Sequence, residues 1–287
     1  MTHWKLLLVM VAVLSFTACG LFEDDEEYPV YIHVKEYDVI VENGQGGAHQ
    51  DISDVWVYSG SDLLGAYPLG VDIPILEDLD RPILLFPGIR ENGIRALPSL
   101  HFMLRPDTFY LSTAELQVDT LKPVFRYFDD VEFRWVETFE FTNSLTRDYD
   151  GNPNTKVERT FEKAFTGNYS GRMRVDSENP VAEIATDLLF LDMPGGRPVY
   201  LEMTFQTDHE FSVGLIGERL GSPFDKVYKL NLNPTNGEWR TIVVNFQDEI
   251  TFSQFDGYRI LFGLFLESGH DSDTAAVYLD NLKLLHR

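Results

Sequence analysis

Short runs of β-branched and aromatic residues recur about every ten residues through the first half of this chain, and this spacing constrains the fold more than any other feature. Residues 30–34 (VYIHV) and 54–58 (DVWVY) are examples, and in the second run the side chains alternate between two faces. The polar residues 59–62 (SGSD) join that run to residues 63–67, which predicts a hairpin. No sustained helical period of apolar residues occurs there. The pattern therefore predicts an all-β fold.

Length and composition allow two domains. The chain has 287 residues, of which 44% are hydrophobic and 24% are charged, which is enough for two ordinary domains with buried cores. Residues 128–130 (FDD) form a polar break. We predict two tandem β-sandwich domains: an N-terminal sandwich of immunoglobulin-like or prealbumin-like type over residues 29–127, and a C-terminal jelly-roll sandwich over residues 128–287. The chain has one cysteine, so both domains must be stable without a disulfide.

The N-terminal half contains a recognisable segment. Residues 54–69 (DVWVYSGSDLLGAYPL) are followed by residues 73–99, which include PGIRENGI at 87–94. This combination resembles the N-terminal domain of a group of uncharacterised bacterial surface lipoproteins. The resemblance implies a β-sandwich and brings no known activity.

The C-terminal half carries a second resemblance. It has a Gly-x-x-Ser-Gly turn at residues 167–171 and ends in a strand containing YLDNL at 278–282. These features resemble the jelly-roll sandwiches of galactose-binding-like domains and carbohydrate-binding modules. That fold hosts sugar binders, protein binders and inert spacers, so it does not by itself define a ligand.

Two kinds of site follow from that resemblance. A structural calcium ion often ties the opening strand to the closing strand in such modules, and Glu140 and Asp280 are the matching oxygen donors. The alternative favoured by the sequence is that residues 280–281 cap the final strand. Sugar-binding modules also stack sugar rings on exposed aromatic side chains. The candidates for this role are Tyr149, Tyr169, Tyr228 and Trp239, although Trp239 opens an apolar strand and is expected in the core.

The N-terminus predicts export and lipidation. Lys5 precedes the uncharged apolar residues 6–14, a length that suits a signal peptide and is too short to span a bilayer. Small residues then precede Cys19, and this arrangement resembles the lipobox of bacterial lipoproteins. We predict a signal peptide over residues 1–18 and lipidation of Cys19. An ordinary cleavage site near this cysteine is the alternative.

Charge limits the partners and supports an envelope location. Residues 23–27 are five consecutive acids, so residues 19–28 are expected to form a solvated tether, either an acidic tag for surface display or a plain spacer. Gly20 does not match the inner-membrane retention signal, which makes the outer membrane the expected location. The formal net charge of −23 disfavours nucleic acid as a partner.

The usual hydrolase signatures are absent from the sequence, while its 46 acidic residues leave a glycosidase pair of carboxylates open as a third alternative. The seven histidines show no metal-ligand spacing, and there is no Gly-x-Ser-x-Gly elbow. We therefore expect a non-catalytic protein that requires no cofactor. Two functions compete: a scaffold or partner in an outer-membrane protein complex, which we prefer, and a glycan-binding lipoprotein that uses its jelly roll.

Overall fold

The computed structural model describes residues 29–76, 81–94, 96, 98–111, 118–219, 221–253, 255–266 and 273–287. The predicted signal peptide, the lipidated Cys19 and the acidic tether lie outside these residues. Within the described ranges, no helix is both long enough and apolar enough to cross a membrane.

The N-terminal region, residues 29–127, contains eleven short strands within its described residues. They are β1 (Val30–Val34), β2 (Asp38–Ile40), β3 (Asp54–Ser59), β4 (Asp62–Pro68), β5 (Asp72–Ile75), β6 (Ile83–Ile89), β7 (Ser99–Leu100), β8 (Leu104–Arg105), β9 (Asp107–Phe109), β10 (Val118–Leu121) and β11 (Val124–Tyr127). They form three sheets, ordered β10-β1-β5, β2-β11-β8 and β4-β3-β6-β7, and β9 also pairs with β6.

The first and third of these sheets enclose a core. Alternate side chains of β1 and β5, such as Ile32 and Ile73, point inward and meet Val55, Val57 and Leu85 from β3 and β6. This inward alternation is the pattern by which the sequence predicted strands. The hairpin predicted between residues 54–58 and 63–67 is confirmed as β3 and β4.

The C-terminal sandwich, residues 132–286, contains twelve strands and one helix within its described residues. The strands are β12 (Glu132–Glu137), β13 (Leu145–Asp148), β14 (Val157–Thr160), β15 (Ser170–Asp176), β16 (Val181–Thr186), β17 (Phe190–Leu191), β18 (Val199–Thr207), β19 (Phe211–Glu218), β20 (Asp225–Leu232), β21 (Arg240–Asn245), β22 (Gly257–Phe265) and β23 (Thr274–His286), and α1 (Gln247–Ser253) precedes β22.

These strands build two six-stranded sheets. The first has the order β14-β15-β23-β18-β21, with β12 added against β23, and the second has the order β13-β16-β22-β19-β20, with β17 added against β22. The large apolar core lies between the two sheets and includes Met203, Phe211, Phe262 and Leu279. The prediction of an all-β chain is confirmed. The short helix α1 was not predicted from the sequence.

Each sheet contains strands from only one of the two regions, and the regions are joined by packing. A third apolar cluster contains Phe125 and Met103 from the N-terminal region together with Tyr200, Val243 and Leu285 from the first sheet of the C-terminal sandwich. All five side chains are nearly or fully buried. The predicted boundary between residues 127 and 128 stays a prediction.

Candidate functional site

The first sheet of the C-terminal sandwich turns its outer side toward the N-terminal region. We call this side the covered face and define it by Tyr200, Glu202, Val243, Lys283 and Leu285. Strand β18 is buried along its whole length. One side faces the sandwich core, and on the other side Tyr200 and Glu202 contact the N-terminal region. The covered face is therefore an internal interface that excludes solvent.

A charged network lies at the centre of the covered face. The side chains of Glu202 and Lys283 are only 2% and 1% exposed, and Lys283 Nζ lies 3.4 Å from Glu202 Oε2. The same carboxylate oxygen accepts hydrogen bonds from Gln50 Nε2 and the Tyr127 hydroxyl, both at 2.6 Å. His101 Nε2 lies 3.1 Å from Glu202 Oε1. Three side chains of the N-terminal region thus surround one carboxylate of the C-terminal sandwich.

The network also determines the ionisation of Glu202. Burial alone would raise the pKa of this carboxyl, but the charge of Lys283 and the contacts from His101 and Gln50 outweigh burial and lower the pKa to about 2. Glu202 is therefore ionised at neutral pH. Its charge is balanced inside the protein and has no exposure to a ligand, so this network is structural.

The segment at residues 87–94 joins the two regions. The Tyr200 hydroxyl donates to Glu91 Oε1 at 2.6 Å, and Asn245 Nδ2 donates to Glu91 Oε2 at 3.2 Å. The backbone N–H of Asn245 donates to Asn92 Oδ1 at 3.0 Å. Asn92 has a φ of 56°, a left-handed conformation that asparagine adopts more readily than most residues. The segment therefore docks on the C-terminal sandwich through a turn.

The second sheet of the C-terminal sandwich has an outer side that the N-terminal region does not cover. We call it the open face. Its floor consists of small and aliphatic residues from the middle strands, namely Ala185, Gly214, Ile216, Leu261 and Gly263. Polar and aromatic residues stand on and around this floor: Arg147, Tyr149, Glu183, Glu218, Phe224, Lys226, Tyr228, Arg259 and Phe265.

Tyr228 lies across the centre of the open face. Its ring contacts the floor so closely that a Cβ added at Gly263 would approach the tyrosine hydroxyl to 2.5 Å. The hydroxyl donates to Glu183 Oε1 at 2.7 Å, and Lys226 Nζ donates to the other oxygen of the same carboxylate. Phe265 meets the ring edge-on at 5.9 Å between centroids. Burial and the neighbouring Glu183 raise the pKa of Tyr228, so its hydroxyl stays protonated.

Tyr149 forms a second unit of similar composition. Its hydroxyl donates to Glu218 Oε1 at 3.0 Å, and Arg259 Nε donates to that oxygen at 2.7 Å. Phe224, which is 47% exposed, meets the Tyr149 ring edge-on at 4.9 Å between centroids. Burial opposes ionisation of Glu218, but Arg259 and Tyr149 outweigh it and lower the carboxyl pKa. Glu218 is therefore ionised at neutral pH and accepts hydrogen bonds.

The other two aromatic candidates lie elsewhere. The ring of Tyr169 packs against the sandwich core, and the Arg159 guanidinium lies 4.3 Å from its centroid. Trp239 is only partly buried and is not part of the apolar core, so the expectation that it lies in the core is wrong. The chain turns at residues 236–237 and β21 begins only after Trp239, which places the indole outside the sandwich.

Trp239 borders a groove between the two regions. The groove has a volume of about 940 Å³, and the residues relevant to its chemistry are Asp51, Arg90, Asn231, Asn233, Trp239 and Arg240. We call it the interdomain groove. It is distinct from the open face, since it is lined by part of the segment at residues 87–94, by residues 50–53 and by residues of β18, β20 and β21 with the loop between the last two.

The two calcium candidates are near one loop and hold it through backbone groups. Glu140 Oε1 accepts N–H groups from Asn168 and Tyr169 at 2.8 and 2.9 Å. Asp280 Oδ2 accepts N–H groups from residues 165 and 166 at 3.0 and 3.1 Å. Calcium needs about six to eight oxygen ligands, and the described residues include no group of three or more His, Cys, Asp and Glu suited to a metal ion. The calcium site stays a prediction.

Comparisons with known proteins add structural neighbours. No protein-family model matches the chain, and no curated protein matches it. Among solved structures, the chain is similar to the xylan-binding domain CBM22-1 of Paenibacillus barcinonensis Xyn10C, with 16% identity and a TM-score of 0.37 over 54% of this chain and 94% of that one.

Two further neighbours are of the same kind. The family 11 carbohydrate-binding module of Clostridium thermocellum, in complex with a β-1,3-1,4-mixed-linked tetrasaccharide, has 12% identity and a TM-score of 0.38 over 52% of this chain and 93% of the module. A carbohydrate-binding module of the β-sandwich superfamily has 12% identity and a TM-score of 0.39 over 89% of this chain and 96% of its own. The neighbours are β-sandwich carbohydrate-binding modules, but with such low scores the likeness carries no argument about a ligand.

Proposed function

We propose that this protein is a non-catalytic glycan-binding protein and that the open face is its binding surface. The observation that carries the proposal is the presence of two tyrosines, each hydrogen-bonded to a carboxylate that also contacts a cation, on a floor of small and aliphatic residues. Aromatic rings offer a flat apolar surface to the face of a sugar ring. The adjoining charged groups offer hydrogen bonds to its hydroxyls.

Glu218 on the open face is suited to binding a sugar and not to donating a proton to it. A glycosidase needs one carboxylic acid that gives up a proton and a second carboxylate that acts as base or nucleophile. Glu218 has a lowered pKa and contacts Arg259, so it does not supply that proton at neutral pH. An ionised carboxylate beside an arginine is instead suited to accepting hydrogen bonds from sugar hydroxyls.

A polysaccharide array tests the binding proposal. The purified chain is expected to bind at least one polysaccharide, and the double variant Tyr149→Ala/Tyr228→Ala is expected to lose this binding because both stacking surfaces are removed. Tyr110→Ala is the matched control, because Tyr110 is a tyrosine in the N-terminal region that is 75% exposed. Binding that survives in the double variant, or failure of the wild-type chain to bind any polysaccharide, would contradict the proposal.

We further propose that lipid on Cys19 holds the protein at the outer membrane, on the cell surface, with the acidic segment as a tether. Support comes from the sequence of residues 1–28. Metabolic labelling with palmitate is expected to label the wild type and not Cys19→Ala, which should leave the membrane fraction.

Protease added to intact cells tests surface display and is expected to cut the surface-displayed protein. Full protection would indicate a periplasmic orientation instead.

A role as partner in an outer-membrane complex is the second candidate function. Phe141 and Phe161 are 91% and 80% exposed. The segments that carry these two residues are joined by Arg159, whose side chain donates hydrogen bonds to the carbonyls of residues 139 and 140. Exposed aromatic residues of this kind favour contact with another protein. Mild detergent extraction is expected to recover a stoichiometric partner with the wild type and not with Phe141→Ser/Phe161→Ser. Phe252→Ser, at an 81% exposed residue on α1, is the control, and a purely monomeric wild-type extract would rule out this role.

A further inference from the structure

Trp239 borders the interdomain groove and is one of three aromatic rings in contact with one another. Trp239 packs against Phe165 with 5.7 Å between ring centroids, and Phe165 packs against His49 with 4.3 Å between centroids. His49 belongs to the N-terminal region, so the row of three rings spans the junction of the two regions. The backbone N–H of Phe165 is held by Asp280. The indole of Trp239 is thus supported from behind while it borders the groove.

The charge of the groove differs from that of the whole chain. The formal net charge of the protein is −23, yet among the ionisable residues that line the groove Arg90 and Arg240 stand against the single carboxylate of Asp51. Arg90 contacts Asp54 at 2.8 Å through one guanidinium nitrogen. Arg240 is exposed and has no hydrogen-bond or ion-pair partner among the described residues. An unpaired guanidinium can bind a carboxylate through two parallel hydrogen bonds.

Amide groups complete the lining. Asn231 and Asn233 both line the groove, and the described part of the chain offers the side chain of Asn233 no hydrogen-bond partner. Amides donate and accept at once, which matches the hydroxyl groups of a sugar. The groove therefore combines an aromatic ring with a guanidinium and an amide that have no side-chain partner within the described ranges.

We propose that the interdomain groove is a second binding site, separate from the open face, for an acidic sugar unit of a polysaccharide. The ring of a uronate stacks on Trp239, and its carboxylate binds Arg240. A neutral sugar uses only the first of these contacts. This inference is independent of the function proposed for the open face, because the two sites share no residue.

Calorimetric titration of the full chain with oligogalacturonate, and with its methyl-esterified form, tests the proposal. The acid form is expected to bind, and its affinity is expected to fall as salt is added, because the contact with Arg240 is ionic. Arg240→Gln is expected to weaken binding roughly tenfold or more, because the variant loses one charge-assisted hydrogen-bond contact. Arg240→Lys should retain part of the affinity, and Trp239→Ala should abolish binding. The methyl ester is expected to bind as weakly to the wild type as the acid form does to Arg240→Gln.

Tyr228→Ala is the control that separates the two sites, since it alters the open face and leaves the groove intact. Circular dichroism and thermal unfolding of each variant establish that it is folded, and Trp239→Phe replaces Trp239→Ala if the latter is not. Any one of four results would overturn the proposal. They are equal affinity of the wild type for the acid and its ester, unchanged binding by Arg240→Gln, loss of binding in Tyr228→Ala, and absence of binding by the wild type at millimolar oligogalacturonate.

Discussion

The same trio of groups, a glutamate, a lysine and a tyrosine hydroxyl, is found at both outer faces of the C-terminal sandwich, although at the covered face the N-terminal region supplies the tyrosine. On the covered face these are Glu202, Lys283 and Tyr127. On the open face Glu183 stands with Lys226 and Tyr228. The covered trio joins two regions and is almost completely buried, whereas the open trio lies within one sheet and is partly exposed.

The difference teaches that burial decides what such a trio does. Where water is excluded, each member depends on the others, because an unpaired buried charge is strongly unfavourable. Where water reaches the groups, any of them can exchange its partner for a solvent molecule or a ligand. The covered trio therefore acts as a clamp between regions, and the open trio remains available for recognition.

The largest expected effect is on stability at the covered face. Glu202→Ala leaves the charge of Lys283 buried without its partner, and we expect it to lower the free energy of unfolding by about 3–5 kcal/mol. Glu183→Ala, at the matching position of the open face, should lower it by about 1 kcal/mol, because Lys226 can be hydrated. Urea denaturation of both variants measures the difference. Equal losses would show that the two faces are energetically alike.

The next effect is on the dependence of stability on pH. The pKa of Glu202 is about 2 in the folded protein, against 4.5 for the free group. A lowered folded pKa gives stability that is present above the unfolded pKa and is lost as the pH falls from about 4.5 to about 2, here roughly 3 kcal/mol in total. Unfolding free energies measured across this range should fall more steeply in the wild type than in Glu202→Gln. Parallel curves would contradict the assignment.

An effect on stability as small as that of Glu183→Ala is expected at the floor of the open face. Gly263→Ala places a methyl group where the Tyr228 hydroxyl now lies, which should displace the ring and break its hydrogen bond to Glu183. Because the open face can relax into solvent, we expect a stability loss of only about 1 kcal/mol. Binding to any polysaccharide found on the array should nevertheless be strongly reduced. Normal binding would show that the position of Tyr228 does not matter.

The sequence predicted strands well because inward alternation is a local property. It could not show which strands become neighbours: β13, β16, β22, β19 and β20 lie side by side in an order far from that of the chain. Tyr149 and Tyr228 were each identified from the sequence as an aromatic candidate. They lie on the same face because of this strand order, which no local sequence pattern reveals.

The polar members of the site were missed for a related reason. The chain has 46 acidic residues, and no motif identifies Glu183 and Glu218 among them as binding residues. A signal did exist for Glu183, which stands between the core residues Ala182 and Ile184 and so had to point outward. For Glu202 the sequence contains no such signal: in β18, which reads VYLEMTFQT, polar residues alternate with Leu201, Met203 and Phe205, as in a strand with one side facing solvent.

The helix α1 also had a local signal. The side-chain oxygen of Asn245 accepts the N–H of Gln247 at 3.0 Å, and the acids Asp248 and Glu249 lie in the first turn. Asparagine before a helix and acids at its start are common features of helix N-termini. Because the helix is only seven residues long, its apolar period was too short to be recognised.

The late position of the long strand β23 in the chain determines when the two regions can join during synthesis. This strand contributes Lys283, which donates a hydrogen bond to the carbonyl oxygen of Gly47, a residue 236 positions earlier in the chain. At translation rates of about 5–20 residues per second, the ribosome adds Lys283 roughly 10 to 50 seconds after Gly47. During that interval the N-terminal region has emerged with its side of the interface still exposed. The nascent chain therefore presents an unprotected apolar surface, on which a holding chaperone or premature self-association would act before the two regions can join.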